Sequence, residues 1–274
     1  MPSTFNAQDA AAYERVMGRW SRRLAEPLLA FAGDLRDRNV LDVGCGTGSL
    51  TFALAERGSV ASITAIDVAQ AYVDFARARN RDARVTIQCA DAGELPFEAD
   101  RFDACVSLLA LHLMSDPVRA LREMVRVTVD GGAIVGAVWD VRGGLPHARM
   151  FLDTAATFDP AAQAMRARYM SVPLAQTGEM AALWHSLGLR EVEQDMVTVR
   201  FEFEDFDDYW APFLTGEGTM GGYIAGLAAA QRDALGARMR DAYQSGAPDG
   251  PRSFAASAWI CRGIVSKSDA PVGQ

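Results

Sequence analysis

Three glycines at alternate positions, Gly44, Gly46 and Gly48, stand in the run Val40-Leu41-Asp42-Val43-Gly44-Cys45-Gly46-Thr47-Gly48-Ser49-Leu50. Residues without a Cβ let the backbone take unusual dihedrals and approach a ligand closely. Asp67 follows 19 residues after Gly48, at the end of the apolar run Ile63-Thr64-Ala65-Ile66. A carboxylate closing the second strand of an α/β unit faces the mouth of the sheet, where it can accept two hydrogen bonds from a ribose diol. The spacing is not the G-x-G-x-x-G dinucleotide fingerprint, because Ser stands at position 49. Nor is it a phosphate-binding P-loop, since no Lys follows the glycines.

The elements that must position these residues are legible around them. An apolar run enters the glycines and a helical pattern leaves them, so residues 38–43 read as a first strand and Ser49 to Glu56 as a helix. Residues 63–67 read as strand two, followed by a helix to Arg79. Residues 84–89 read as strand three, with the loop Ala90-Asp91-Ala92-Gly93-Glu94-Leu95-Pro96-Phe97 after it. Residues 101–107 read as strand four. Its exit, Leu108 to Ser115, leads to Asp116-Pro117, a cap residue followed by proline at the first helical position. Val129-Asp130-Gly131-Gly132 reads as a turn into strand five, 133–139. The apolar strands lack strict alternation, as expected where helices cover both faces of a sheet.

Val40 to Trp139 resembles the class I S-adenosylmethionine-dependent methyltransferases, whose first motif has the form hydrophobic-Leu-Asp-Val-Gly-Cys-Gly-Thr-Gly. The resemblance is strongest to the small-molecule branch that includes ubiquinone and menaquinone biosynthesis methyltransferases. It implies a Rossmann-like fold, a seven-stranded mostly parallel sheet with helices on both faces and a helical cap. It implies S-adenosyl-L-methionine as cofactor, S-adenosyl-L-homocysteine as product, and no metal. The cofactor-binding positions it implies are Gly44, Cys45, Gly46, Gly48, Asp67, Val68, Asp91, Ala92 and Leu108. Asp67 would take the ribose hydroxyls, Asp91 the adenine amine and the Ala92 amide a ring nitrogen. Relatives also carry an N-terminal helical segment that closes over the site. Tyr13 then becomes a candidate catalytic residue and Arg22 a partner for the methionine carboxylate, with Arg19 and Trp20 beside them. His112 occupies a position where many relatives have His, as a base, an orienter or a structural group.

The remaining chain divides as an N-terminal helical arm (1–36), the cofactor-binding core (37–140), a cap segment (141–175), a core helix with strand six (176–203), a helical cap insertion (204–250), strand seven (251–264) and a flexible tail (265–274). Ser21 is a candidate cap for the arm's helix, and 216–222 reads as a glycine-rich bend. The arm and the two cap segments carry Tyr13, Trp20, Phe151, Tyr169, Tyr209, Trp210, Phe213 and Tyr223. This set favours a small apolar or aromatic acceptor, methylated on O, N or C, with acceptor choice made in the cap.

Composition narrows the classes. The net charge of −8 weighs against nucleic acid, whose binders usually show a basic face. Neither a signal segment nor a run of roughly 20 apolar residues is seen, so no membrane span and a cytoplasmic location are expected. The four cysteines are widely spaced and fit reduced thiols. His112, His147 and His185 lack zinc-ligand spacing. A monomer or homodimer acting on a small-molecule acceptor is expected. A protein or peptide methyltransferase, a non-catalytic cofactor binder and a nicotinamide oxidoreductase remain as alternatives.

Overall fold

The computed structural model describes residues 10–267. Its centre is a seven-stranded sheet in the order β3-β2-β1-β4-β5-β7-β6. The strands are β1 (Asn39–Val43), β2 (Ser62–Asp67), β3 (Val85–Cys89), β4 (Phe102–Leu108), β5 (Thr128–Trp139), β6 (Arg190–Phe203) and β7 (Arg252–Ile264). β1 to β5 pair in parallel, and β7 runs antiparallel between β5 and β6. This is the Rossmann-like class I methyltransferase architecture. The strand order reverses at β1, which lies between β2 and β4. Ligands bind outside the carboxyl ends of the strands at such a switch point.

Burial explains the sequence of the central strands. Val40, Leu41 and Val43 of β1 and Ala104, Cys105 and Val106 of β4 are sealed from solvent on both faces. The helix Ser49–Glu56 buries Leu50 and Leu54, and Pro117–Val127 buries Leu121 and Met124. Asp116 caps the latter by accepting from the Arg119 N–H at 2.9 Å. Trp184, fully buried, donates its indole N–H to the Ile134 carbonyl at 3.3 Å and pins the helix Glu179–Ser186 beneath β5.

Several local expectations are corrected. The turn expected at 129–132 lies inside β5, where the pairing with β4 shifts register and Gly131 takes a left-handed φ of 75°. Ser21 caps nothing. It sits within the helix Arg19–Phe31 and donates to the Met17 carbonyl one turn back at 3.1 Å. That helix runs through Pro27 and follows a wide π turn, Glu14–Gly18, and a short helical segment, Ala10–Tyr13. The glycine-rich bend is mostly helix, Gly218–Ala225. Lys267, expected in a frayed tail, donates its N–H to Asp130 at 2.9 Å. The expectations for 1–9 and 268–274 lie outside the described residues.

The helices Pro146–Ala156, Pro160–Tyr169, Phe206–Trp210 and Ala229–Gln244 pack on one another as a second layer, with Pro146–Ala156 against β7 and Phe206–Trp210 against β6. Its centre is aromatic. Phe151 and Phe213 approach to 4.9 Å between ring centroids, Tyr209 and Tyr243 to 5.3 Å, and Phe203 and Tyr209 to 5.3 Å. The Tyr209 hydroxyl donates to the His147 carbonyl at 3.0 Å, so even its polar tip is satisfied.

Candidate active site at the strand ends

A cavity of about 400 Å³ opens at the carboxyl ends of β1, β2, β3 and β4. Its walls include Gly44, Cys45, Gly46, Asp67, Val68, Asp91, Ala92 and Leu108, brought together from four separate strand exits. Tyr13 joins them from the arm.

The glycine loop is shaped by backbone bonds to β2. The N–H groups of Gly44 and Cys45 both donate to the Ile66 carbonyl, at 2.9 and 2.8 Å. Gly44 has φ 74°, and a Cβ there would meet the Ala110 methyl at 2.3 Å. Only glycine lets the loop pass under Ala110. Gly46 has φ 54° and nothing within 4 Å of a built Cβ, so its face is open to a ligand.

Asp67 is held in place before any ligand arrives. Its Oδ2 accepts from the Gly46 N–H at 2.8 Å and its Oδ1 from the Ala69 N–H at 2.9 Å. Burial raises its proton affinity, and these backbone donors work against that shift. Each oxygen retains acceptor capacity, since a carboxylate offers about four lone-pair sites. Asp91 accepts from the Gly93 N–H at 2.7 Å, which turns its loop back toward the cavity. Val68 is 71% exposed, an apolar lip at the rim.

Asp42 is a site residue the motif reading passed over. It is fully buried in β1 and lines the cavity. Its Oδ2 accepts from the Thr51 hydroxyl at 2.6 Å, while Oδ1 is buried with no hydrogen-bond partner. Burial pushes its carboxyl up to about 7. The available signal was a charged residue inside an otherwise apolar buried strand, which demands a partner.

Three expected residues are not among the cavity's lining. Gly48, with φ 94°, opens the helix Ser49–Glu56 and lies against the Phe52 ring. His112 lies on the short turn Leu111–Leu113, half-buried, between the lining residues Ala110 and Leu113. Its Nδ1 is buried without a partner, and burial pushes the imidazole down to about 4. Arg22 donates to Glu14 Oε2 at 2.5 Å and lines a different cleft. The Glu14 carboxylate also accepts from the Thr47 hydroxyl at 2.5 Å and lies 3.6 Å from Arg79, so it ties the arm to the glycine loop.

The Tyr13 ring lies 5.1 Å from that of Tyr72, tilted by 41°. Burial, followed by nearby acids and against a bond with Ser21, pushes its phenol up to about 12, so it stays protonated at neutral pH. The Cys45 thiol is likewise raised by burial and by the Asp42 and Asp67 charges, which makes it a wall and not a nucleophile. The far side of the cavity is apolar, with Leu108, Leu109, Ala110, Leu113 and Met114. No residue of 141–250 lines it; the aromatics expected to enclose an acceptor pack on one another. Among the described residues no group of three or more His, Cys, Asp or Glu is placed to hold a metal, and no helix is long and apolar enough to cross a membrane.

Residues 41–136 match the family model of a methyltransferase domain. Over 161 residues the chain is 31% identical to the malonyl-[acyl-carrier protein] O-methyltransferase of Serratia marcescens, covering 52% of this chain and 62% of that protein. Over 102 residues it is 32% identical to the ubiquinone biosynthesis O-methyltransferase of Coxiella burnetii, covering 36% of this chain and 43% of that one. The matches thus span less than two thirds of these curated relatives. Among solved structures, phosphoethanolamine N-methyltransferase 2 of Haemonchus contortus, in complex with S-adenosyl-L-methionine, superposes with a TM-score of 0.59 at 17% identity. The match covers 94% of this chain and 57% of that one, a likeness of fold.

Proposed function

We propose, with the methyltransferase-domain match, the curated relatives and the fold in support, that this chain is an S-adenosylmethionine-dependent methyltransferase acting on a small-molecule acceptor. One observation carries the reading: a single cavity joins the open face of Gly46, the pre-set Asp67 carboxylate, Asp91 and the unpaired Asp42 Oδ1. The residues fit the cofactor. Asp67 would hold the ribose hydroxyls, Asp91 and the Ala92 amide the adenine, with Val68 against its face. Asp42 Oδ1 is an orphan acceptor suited to an ammonium group. When bound, S-adenosylmethionine supplies a methyl group on a positively charged sulfur.

The chain's own contribution is position and dryness. Orientation of two reactants alone can be worth about 7 kcal/mol or more in ideal systems. Leu108, Leu109, Leu113 and Met114 exclude water where the acceptor atom enters. The Tyr13 ring offers a π face to a cation. His112 acts from behind this wall as a positioning group, neutral at pH 7. We assign oxygen as the atom methylated, following the names of the two curated relatives. A cytoplasmic location, supported by four free cysteines, and a monomer or homodimer complete the proposal.

Calorimetry with S-adenosylhomocysteine and NAD, followed by turnover on a panel of phenols and carboxylic acids, tests it. Homocysteine-cofactor binding with methyl transfer to oxygen is expected. Binding of NAD alone, or cofactor binding without turnover on any acceptor, would remove the reading. For His112→Gln, reduced turnover with unchanged cofactor affinity and an unshifted pH profile is expected. A lost acid limb would make His112 a base instead.

A further inference from the structure

A second cleft, of about 360 Å³, lies between the arm and the insertion, lined by Glu14, Arg19, Arg22, Asp208, Ala211 and Pro212. Its two arginines differ. Arg22 is bonded to Glu14 at 2.5 Å. Arg19 donates through NH1 to Asp208 Oδ1 at 2.9 Å, but its Nε and NH2 are buried with no hydrogen-bond partner. These two nitrogens share one edge of the guanidinium plane. Their parallel N–H groups form the fork that matches both oxygens of a carboxylate. Leaving such donors unpaired away from water is costly. The guanidinium lies over rings: its carbon is 4.3 Å from the Trp20 ring centre and 5.3 Å from that of Phe203. The side chain as a whole is 31% exposed, while the Nε and NH2 atoms themselves face inward, so this edge meets a ligand only when the guanidinium turns.

We propose that this cleft binds a carboxylate of the methyl acceptor through the Nε/NH2 edge of Arg19, which turns that edge toward the cleft on binding. The word acceptor rests on the methyltransferase reading; the carboxylate site does not. Glu14 separates the two spaces, lining the cleft while accepting from Thr47 of the cavity wall at 2.5 Å. An acceptor anchored at Arg19 reaches past this pair toward the strand ends, its hydrocarbon part on Ala211 and Pro212. Asp208 holds the guanidinium in its unliganded orientation and so competes with an incoming carboxylate, which gives the test two signs.

The probes are benzoate and its neutral isostere benzamide, titrated by NMR into the full chain saturated with S-adenosylhomocysteine. Benzoate is expected to bind and benzamide not. Arg19→Gln should weaken benzoate at least tenfold with homocysteine-cofactor affinity within twofold of the parent. Arg19→Lys keeps the charge without the fork and should weaken it severalfold. Asp208→Asn removes the competing charge and should strengthen it. An Arg19–Asp208 pair of purely structural role would move all three variants the same way, and that result overturns the proposal. So does a parent chain that ignores benzoate, or one that binds benzamide equally. If Arg19→Gln does not fold, the opposite signs of Arg19→Lys and Asp208→Asn decide. Arg19-dependent benzoate binding by a chain that does not bind S-adenosylhomocysteine keeps the carboxylate site and removes the methyltransferase reading; the reverse pattern removes the carboxylate site alone.

Discussion

The strand-end cavity and the aromatic layer are built on opposite terms. In the cavity, Asp42 keeps an unpaired buried oxygen and Gly46 an open face. In the layer, Phe151, Phe213, Tyr209 and Tyr243 fill one another's space, and the Tyr209 hydroxyl is bonded. Stability is gained where groups are satisfied internally, whereas a ligand is recognised where they are not. The aromatic residues of the layer therefore pack the cap, whereas the strand exits keep hydrogen-bonding capacity open to the cavity.

That contrast can be broken most forcefully at Phe151, which is fully buried. Phe151→Ala should cost about 3–5 kcal/mol of stability in denaturant titration. Its affinity for S-adenosylhomocysteine should stay within twofold of the parent; a tenfold loss would mean that the layer shapes the cavity after all.

Asp42 sharpens the other side through pH. Its folded carboxyl, at about 7, lies above the ordinary 3.8, so the folded state keeps a proton that the unfolded chain has released. The stability this gives is fully present below about 3.8 and is lost as pH rises through 7. Asp42→Asn should therefore gain on the parent by about 3 kcal/mol between pH 5 and 8, at roughly 1.4 kcal/mol per unit up to the folded value of about 7. His112 and His147, pushed down to about 4 and about 3 by burial, act in the opposite sense: their contribution is present above 6.5 and lost as pH falls. Subtracting the variant's melt from the parent's isolates Asp42 from them. Parallel stability curves would disprove the raised carboxyl.

Asp67→Ala should weaken S-adenosylhomocysteine by tenfold or more, since a charge-assisted bond is worth about 1.5–3 kcal/mol, with the fold intact by circular dichroism. Unchanged affinity in calorimetry would dismiss the ribose role. The smallest effect belongs to Tyr223, whose hydroxyl donates to Asp159 at 2.7 Å on the cap's surface. Tyr223→Phe should cost about 1 kcal/mol or less in stability and nothing in turnover. A fall in turnover would extend acceptor contact to the aromatic side of the insertion.

The placement of Asp67 and Asp91 at the cavity was legible because chain order alone carries it. Each closes a strand beside the glycine loop, and parallel connection puts all such exits on one edge. Asp42 was legible only as a charge in an apolar strand. The pairing of Arg22 with Glu14 was not legible, because it depends on the helix phase that the π turn sets. The aromatics of the insertion pointed, as a set, to an apolar acceptor, but a sequence shows a ring and not what it faces. The bend at 216–222 hid a helix for the same reason. Gly221 packs so closely on Gly216 that a Cβ would meet its backbone at 2.9 Å, so glycine there serves a helix contact, not a hinge.

The placement of β7 has a consequence for synthesis. Among the described residues, β6 pairs with β7 alone, and β7 follows it only after residues 204–251 of the chain. As the polypeptide leaves the ribosome, β1 to β5 can pair in turn, but β6 must wait as an unpaired edge until residues 252–264 emerge. Contacts between distant parts of a chain form slowly and leave such edges exposed meanwhile. Alternating charges along β6, with Glu191, Glu193, Asp195, Arg200 and Glu202, discourage a neighbouring nascent chain from pairing with it first.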